Sequence, residues 1–160
     1  MLVTHPIPPV FDERSRILIL GSFPSVKSRE AQFFYGHPQN RFWAVVAAVL
    51  GEPVPRDTEE KRRFLLRNRI AVWDVIASCE IRGSADSSIR EVTPNDLSRI
   101  LEHAPIERIY VNGKTAEAYF KRYAEPLIGR SAVCLPSTSP ANAAWSKKKL
   151  IEAWKQIIME

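Results

Sequence analysis

Residues Arg16–Ser25 have the sequence RILILGSFPS. Its first half, Arg16–Leu20, is a short apolar run without polar alternation, which is typical of a strand covered on both faces of a parallel sheet. Gly21 follows, where a glycine lets another backbone or a ligand approach closely, and Pro24 stiffens the turn. The stretch predicts a buried strand and then a tight loop, which is either an ordinary strand-to-helix connection or part of a binding site.

Other apolar runs extend this pattern along the chain. Three of them predict strands at Ile70–Val75, Arg108–Asn112 and Ala132–Leu135. Helical patterns occur at Phe42–Leu50, at Asp57–Arg69, in a segment that begins at Thr93-Pro94, at Lys114–Tyr123 and at about Trp145–Met159. The alternation predicts an α/β fold over residues 1–160 as one domain, a three-layer α/β/α sandwich with a central, mainly parallel four-stranded sheet. Ligands in such sheets bind at the carboxyl ends of the strands, so we expect the four following loops to lie together.

The composition is that of an ordinary globular protein. The 160 residues are 45% hydrophobic and 26% charged, and 23 basic against 18 acidic residues leave a net charge of +5. A basic balance suits a phosphate-backbone partner, although many basic proteins bind no nucleic acid. No apolar run is long enough to span a membrane, and the N-terminus lacks the layout of a signal peptide. We expect a cytoplasmic monomer without membrane association; two cysteines and three scattered histidines predict no metal and no cofactor.

The stretch Phe33–Trp43, FFYGHPQNRFW, is rich in aromatic residues around a glycine and a proline. Aromatic side chains in loops often stack on a ligand, and nucleobases are natural partners. Phe42 and Trp43 are expected in the core, whereas Phe34 and Tyr35 are expected at a site. Asn40 either caps the helix that begins at Arg41 or belongs to that site.

The segment Leu135–Asn142, LPSTSPAN, places three hydroxyl residues between prolines. Such a loop can hold phosphate oxygens or lie against a duplex, or it is an ordinary turn before the last helix. Lys147–Lys149 follow in the first turn of that helix, where cations oppose the helix dipole. Either a DNA phosphate or solvent compensates this unfavourable arrangement.

Three segments together resemble the motifs of the uracil-DNA glycosylase superfamily in order and spacing: Gly21–Ser25, Gly36–Trp43 and Leu135–Asn142. The set is most similar to the hypoxanthine-DNA glycosylase (DNA-deoxyinosine glycosylase) family, and the likeness covers nearly the whole chain. In mismatch-specific relatives the first motif places a catalytic asparagine where this chain has Phe23. Relatives also often begin the last motif with histidine, where Leu135 stands here. Either the chain is inactive or its catalytic group lies elsewhere, and the hypoxanthine family implies that this group is Asn40.

The resemblance implies a monofunctional DNA-repair glycosylase that flips a deaminated base, hypoxanthine, out of the helix and hydrolyses its N-glycosidic bond. Asp74 either accepts the N1–H of this base or only caps the following turn. The residues expected to contact the base are Ser22, Phe23, Phe34, Tyr35, Asp74 and Asn112, with Phe34 or Tyr35 stacking on the ring. The residues expected to contact DNA are Ser25, Lys114, Ser137, Thr138, Ser139, Lys147 and Lys148. The alternatives are a uracil or mismatch glycosylase of broad range, an inactive DNA-binding member, and an α/β enzyme acting on small nucleosides.

Overall fold

The computed structural model describes residues 2–158 of the chain. Its strands are β1 (Leu2–Thr4), β2 (Ile17–Gly21), β3 (Ile70–Asp74), β4 (Ile76–Glu80), β5 (Arg90–Pro94), β6 (Arg108–Asn112) and β7 (Val133–Leu135). Its α-helices are α1 (Val26–Ala31), α2 (Phe42–Leu50), α3 (Thr58–Arg67), α4 (Ser98–Leu101), α5 (Lys114–Tyr119), α6 (Glu125–Ile128) and α7 (Lys147–Trp154). Short 3₁₀ turns lie at Asp86–Ser88 and Lys155–Ile157, and a π-helical turn lies at Phe120–Ala124.

Four parallel strands form the central sheet in the order β3-β2-β6-β7. All five residues of β2 are buried, as expected for a strand covered on both faces. The register places Gly21 opposite Asp74 and Asn112 opposite Leu135, so the carboxyl ends of the strands meet at one edge. Helices pack around this sheet, with α3 against β3 and α5 against β6. The predicted α/β fold with a four-stranded parallel sheet is confirmed.

A second, antiparallel sheet of three strands, in the order β1-β4-β5, was not predicted. The apolar run of β3 continues almost directly into β4 after Val75, so the sequence does not mark where one sheet ends and the other begins. The prediction of a helix beginning at Thr93-Pro94 was wrong, because Thr93 pairs with Ser78 in β5 and the helix begins at Ser98. Pro94 is tolerated there because β5 is an edge strand, where a missing backbone N–H breaks no ladder.

The predicted helices are otherwise present with adjusted ends. The predicted helix at Phe42–Leu50 is confirmed as α2, and Gly51 ends it in the left-handed conformation at φ 68°. Asp57 caps α3 by accepting a hydrogen bond from the backbone N–H of Glu60. The last helix begins after Ser146 rather than at Trp145, and its predicted end at Met159 lies outside the described residues. Over residues 2–158, no helix has the length and apolar character needed to cross a membrane.

Candidate functional site

A cleft of about 1030 Å³ lies at the carboxyl edge of the parallel sheet, where the loops after β2, β6 and β7 meet Asp74 at the end of β3. The expected loop after Val75 is absent, because β4 begins at Ile76. Most of the site residues expected from the sequence line this cleft, namely Ser22, Phe23, Ser25, Phe34, Tyr35, Asn40, Asp74, Asn112, Lys114, Ser137, Thr138 and Ser139. Lys147 and Lys148 are exposed in the first turn of α7, just after Trp145 at the cleft wall. The fold therefore gathers distant segments of the chain, from Gly21 to Trp145, in one cleft.

Gly21 makes room for two polar groups on the floor of the cleft. A Cβ at this position would lie 2.5 Å from Asp74 Oδ1 and 3.2 Å from the Tyr35 hydroxyl. Real Cβ atoms essentially never approach another atom as closely as 2.5 Å, and both neighbouring groups are buried. The glycine at the end of β2 is therefore required by this close approach, as the sequence had suggested.

Asp74 holds a buried carboxylate that bonds to His5 rather than to the turn that follows. His5 Nε2 and Asp74 Oδ2 lie 2.8 Å apart. The turn is held instead by the Asn95 side chain, which donates to the backbone carbonyls of Asp74 (2.9 Å) and Ile76 (3.2 Å). Among residues 2–158, the Asp74 carboxylate makes no hydrogen bond to the following turn, so the expectation that Asp74 only caps this turn has no support. Sequence reasoning missed His5, since no motif surrounds it.

Thr138 links the two asparagines of the cleft in a directional chain of hydrogen bonds. The Asn112 Nδ2 donates to Thr138 Oγ1 at 3.0 Å, and Thr138 Oγ1 donates to Asn40 Oδ1 at 2.9 Å. The Thr138 backbone N–H donates to Asn112 Oδ1 at 3.1 Å. Thr138 is fully buried at 0% exposure, so its hydroxyl cannot contact DNA as the sequence suggested. It positions Asn40 and Asn112 instead.

The orientation of the Asn40 amide follows from its partners. Asn40 Oδ1 also accepts the backbone N–H of Phe42, the first residue of α2, at 2.9 Å. A backbone N–H can only donate, so the oxygen of the amide must face it, and both lone pairs of Oδ1 are then engaged. Within residues 2–158, no protein group accepts from Asn40 Nδ2. The N-cap position of α2 is held by Arg41, whose side chain makes no capping bond, so Asn40 contacts the first helical residue from one position further upstream. Its amide nitrogen is a donor available to a ligand.

The aromatic residues divide between core and cleft. Phe34 is 2% exposed and packs against Phe33 and His5, so it supports the cleft from below and has almost no free face on which a base could stack. This corrects the expectation for Phe34. The Tyr35 ring stacks on Phe42, with 4.0 Å between the ring centroids. Only the opposite face of the Tyr35 ring is then left for contact with a base.

Tyr35 carries a buried hydroxyl that makes no hydrogen bond of normal geometry with the described residues. Burial raises the pKa of this phenol and the negative charge of Asp74 raises it further, whereas the neighbouring Asn112 amide acts in the opposite direction. The phenol therefore stays protonated at neutral pH. Its hydroxyl is a second hydrogen-bond donor in the cleft, besides Asn40 Nδ2, and it lies close to the Asp74 acceptor. Its backbone has φ 52°, a left-handed conformation that is uncommon for a bulky residue and is often found at functional sites.

Arg41 holds the loop after β7 in place, a role that the sequence did not indicate. Its guanidinium donates to the backbone carbonyls of Ser139 (3.2 Å), Asn142 (3.1 Å) and Trp145. Within the same loop, the Ser137 hydroxyl accepts from the backbone N–H of Ser139 at 3.1 Å. The loop is thus internally ordered before any ligand binds, and Ser137 and Ser139 remain half-buried at the cleft.

Polar and basic groups surround the cleft opening. Ser25 caps α1, where its hydroxyl accepts from the backbone N–H of Ser28 at 3.1 Å. Lys114 is exposed at the start of α5, and the exposed Lys147 and Lys148 begin α7. In the part of the chain that the structure describes, no group of three histidine, cysteine or acidic side chains could hold a metal ion. The cleft thus combines a carboxylate acceptor with amide and phenol donors, and the charged side chains of Lys114, Asp86 and Glu117 also line it.

Comparison with known proteins identifies the family. The sequence profile of the uracil DNA glycosylase superfamily matches residues 8–158. A hypoxanthine DNA glycosylase of Methanosarcina acetivorans is 38% identical over 98% of both chains, and one of Methanosarcina barkeri is 35% identical over 84% of this chain and 85% of its own. A solution NMR structure of a candidate uracil DNA glycosylase from Methanosarcina acetivorans covers 99% of both chains with a TM-score of 0.80 and 34% identity. The chain therefore belongs to the uracil DNA glycosylase superfamily, as its three motifs predicted.

Proposed function

We propose that the protein is a DNA glycosylase that removes hypoxanthine from DNA by hydrolysing the bond between the base and its deoxyribose. The superfamily supports DNA as the substrate, and the two relatives named hypoxanthine DNA glycosylase support the base. The observation that carries the proposal is the set of hydrogen-bonding groups in the cleft, in which the Asp74 carboxylate accepts and Asn40 Nδ2 donates.

This arrangement complements a deaminated base. Deamination converts the amino group of adenine into a carbonyl and places a hydrogen on the adjacent N1. A carboxylate can accept that N1–H but would face a lone pair on the N1 of adenine, and the donors can bind the carbonyl oxygen and ring nitrogens. Uracil shares the N–H beside a carbonyl, but Phe23 stands where mismatch-specific uracil enzymes are expected to carry their catalytic asparagine. The cleft therefore favours hypoxanthine over both adenine and uracil.

Asn40 is proposed to stabilise the departing base. The bond between C1′ and N9 breaks with its electron pair going to the purine, and the sugar acquires oxocarbenium character. The oxygen of a water molecule bonds to C1′, and one proton of that water ends on the base, so the products are free hypoxanthine and an abasic site. Because Asn40 Oδ1 is engaged by Phe42 and Thr138, the group it has for this reaction is the Nδ2 donor, which binds negative charge as it develops on the base.

The remaining residues of the cleft are proposed to bind the flipped nucleotide and the DNA backbone. Ser22 and the backbone N–H groups of its loop hold the base oxygen, and the partly exposed rings of Phe23 and Tyr35 contact its face. Ser25, Lys114, Ser137, Ser139, Lys147 and Lys148 contact the sugar-phosphate backbone. One copy of the chain carries every group in this scheme, which supports action as a monomer.

The test of the proposed function is a cleavage assay with oligonucleotides that contain a single inosine, uracil or xanthine. Single-stranded and duplex forms are incubated with the protein, and the abasic sites are then cleaved with alkali. We expect inosine to be the fastest substrate. A protein that released uracil much faster than hypoxanthine would contradict the proposal, and binding to the duplexes without release of any base would indicate a DNA-binding member that has lost its activity.

Thr138→Val is expected to lower hypoxanthine release about tenfold, because Asn40 loses one of the two hydrogen bonds that orient its amide. Thr138→Ser retains the hydroxyl and should release hypoxanthine at a rate close to that of the unchanged protein. Single-turnover rates of both variants on the inosine duplex measure the effect. Equal rates for the two variants would show that the chain of hydrogen bonds through Thr138 does not position Asn40.

Replacement of both Lys147 and Lys148 by alanine is expected to weaken duplex binding and its dependence on salt. Each lost phosphate contact should reduce the slope of log K against log salt concentration by about 0.9. Lys155→Ala is the matched control, because this lysine of the same C-terminal segment pairs with Glu152 at 3.0 Å. Fluorescence anisotropy over a range of salt concentrations gives the slopes, and an unchanged slope in the double variant would place the DNA elsewhere.

A further inference from the structure

The N-terminal segment supplies a residue, His5, that contacts Asp74 from behind the cleft and belongs to no motif. β1 pairs with β4, with Thr4 opposite Ser78, and the His5 backbone N–H donates to Ala77 O at 2.6 Å. This pairing brings the His5 ring to the end of β3, beside Asp74. On the basis of the proposed function, we propose that His5 is a positioning residue that holds the Asp74 carboxylate ready to accept the N1–H of hypoxanthine.

The two hydrogen bonds of the imidazole determine which nitrogen carries the proton. The backbone N–H of Ile7 lies 3.2 Å from His5 Nδ1 and can only donate, so Nδ1 is the acceptor. The hydrogen of the neutral ring is then on Nε2, which donates to Asp74 Oδ2 at 2.8 Å. The side chains of His5 and Asp74 are only 3% and 5% exposed, so water does not compete for this bond. Hydrogen bonds to a charged group in such surroundings are the strong ones.

Aromatic neighbours hold the imidazole in this orientation. The rings of Phe23 and Trp73 meet it edge to face, at 5.9 Å and 6.5 Å between centroids, and Phe34 lies tilted against it at 6.1 Å. These contacts limit rotation of the ring away from Asp74. They also give Phe34 and Phe23 a function in the site that does not require stacking on the base.

The bond to His5 leaves one oxygen of Asp74 for the ligand. Oδ2 is taken by Nε2, while Oδ1 receives no hydrogen bond from residues 2–158 and lies against Gly21, in the wall of the cleft. A carboxylate that could rotate would present either oxygen and would tolerate several base positions. A carboxylate held in one orientation presents a single acceptor oxygen to the base. Such a fixed acceptor can distinguish a base that carries an N1–H from one that does not.

The inference is tested by comparing release of hypoxanthine from inosine with release of purine from deoxynebularine, because purine lacks both O6 and the N1–H. In His5→Leu, the ratio of kcat/KM for inosine over deoxynebularine should fall about tenfold, the effect of weakening a hydrogen bond to a charged acceptor. His5→Gln can still donate to Asp74 from its amide and should restore most of the ratio. The ratio does not depend on the fraction of folded protein, since both substrates are measured on one preparation.

The control is His103→Leu, the same substitution at an exposed histidine that bonds the Arg99 carbonyl at the end of α4. Its ratio should match that of the unchanged protein. An unchanged ratio in His5→Leu would overturn the inference while leaving the proposed function standing. If the unchanged protein released no hypoxanthine, the proposed function would fail. The hydrogen bond from His5 to Asp74 would then be tested by NMR.

The tautomer of His5 can be read directly by ¹⁵N NMR at neutral pH. Long-range ¹H–¹⁵N correlation should show His5 with a hydrogen on Nε2 and an unprotonated Nδ1. In Asp74→Ala the Nε2 proton should exchange with solvent faster than in the unchanged protein. A hydrogen on Nδ1, or on both nitrogens, would contradict the donor role on which the inference depends.

Discussion

Asn40→Ala should lower the rate of hypoxanthine release by about 10²–10³-fold, the effect of removing one donor that stabilises developing negative charge. Affinity for the duplex should change little, because the proposed backbone contacts come from other residues. Loss of the hydrogen bond from the Phe42 backbone N–H to Asn40 at the start of α2 is expected to reduce the free energy of unfolding by about 1 kcal/mol. Single-turnover cleavage, anisotropy with an inosine duplex and thermal unfolding measure the three quantities.

Asn40→Asp separates the two ways in which the amide could act. The aspartate keeps an oxygen for the Phe42 N–H and the Thr138 hydroxyl but has no N–H to donate. If Asn40 donates to the departing base, Asn40→Asp should be about as slow as Asn40→Ala. An active Asn40→Asp would mean that the residue accepts a proton from water instead. Asn68→Ala, at the end of α3 and outside the cleft, is the control and should cleave normally.

Asp74→Asn is expected to reduce kcat/KM for inosine by about ten- to a hundredfold, through loss of a hydrogen bond to a charged acceptor. The loss is expected because His5 determines which atom of the new side chain faces the base. His5 Nε2–H needs an acceptor, so it should select the amide oxygen of the new asparagine. The amide nitrogen would then face the base. Its N–H would point at the N1–H of hypoxanthine, and two donors cannot form a hydrogen bond with each other.

The same variant should therefore lose its preference for inosine over deoxynebularine, since the N1 of nebularine is an acceptor. The ratio of the two kcat/KM values measures this change. Asp86→Asn is a matched control, because Asp86 lines the same cleft and the substitution removes the same charge. An effect of equal size in both variants would indicate a general electrostatic contribution, and a preserved preference in Asp74→Asn would remove Asp74 from base recognition.

Several features of this protein could be predicted from local sequence. The buried strand before Gly21 and the helix at Phe42–Leu50 were predicted correctly. An unbroken apolar run and a terminal glycine are signals that a few neighbouring residues contain. The meeting of three loops and the end of β3 in one cleft followed from the rule that parallel strands place their carboxyl ends at one edge. The superfamily followed from three motifs in order. All of these depend on short-range patterns or on general rules of sheet topology.

The roles of individual side chains depended on contacts between distant parts of the chain. His5 reaches Asp74 across 69 residues, Thr138 reaches Asn40 across 98, and Arg41 reaches Trp145 across 104. The antiparallel sheet that carries His5 has short strands with no distinct pattern, and the burial that removes Thr138 from DNA and Phe34 from stacking arises only when the loops pack. Hydrogen-bond direction and burial are properties of these assembled neighbours, so the sequence could identify the residues of the cleft but not which atom of each faces the ligand.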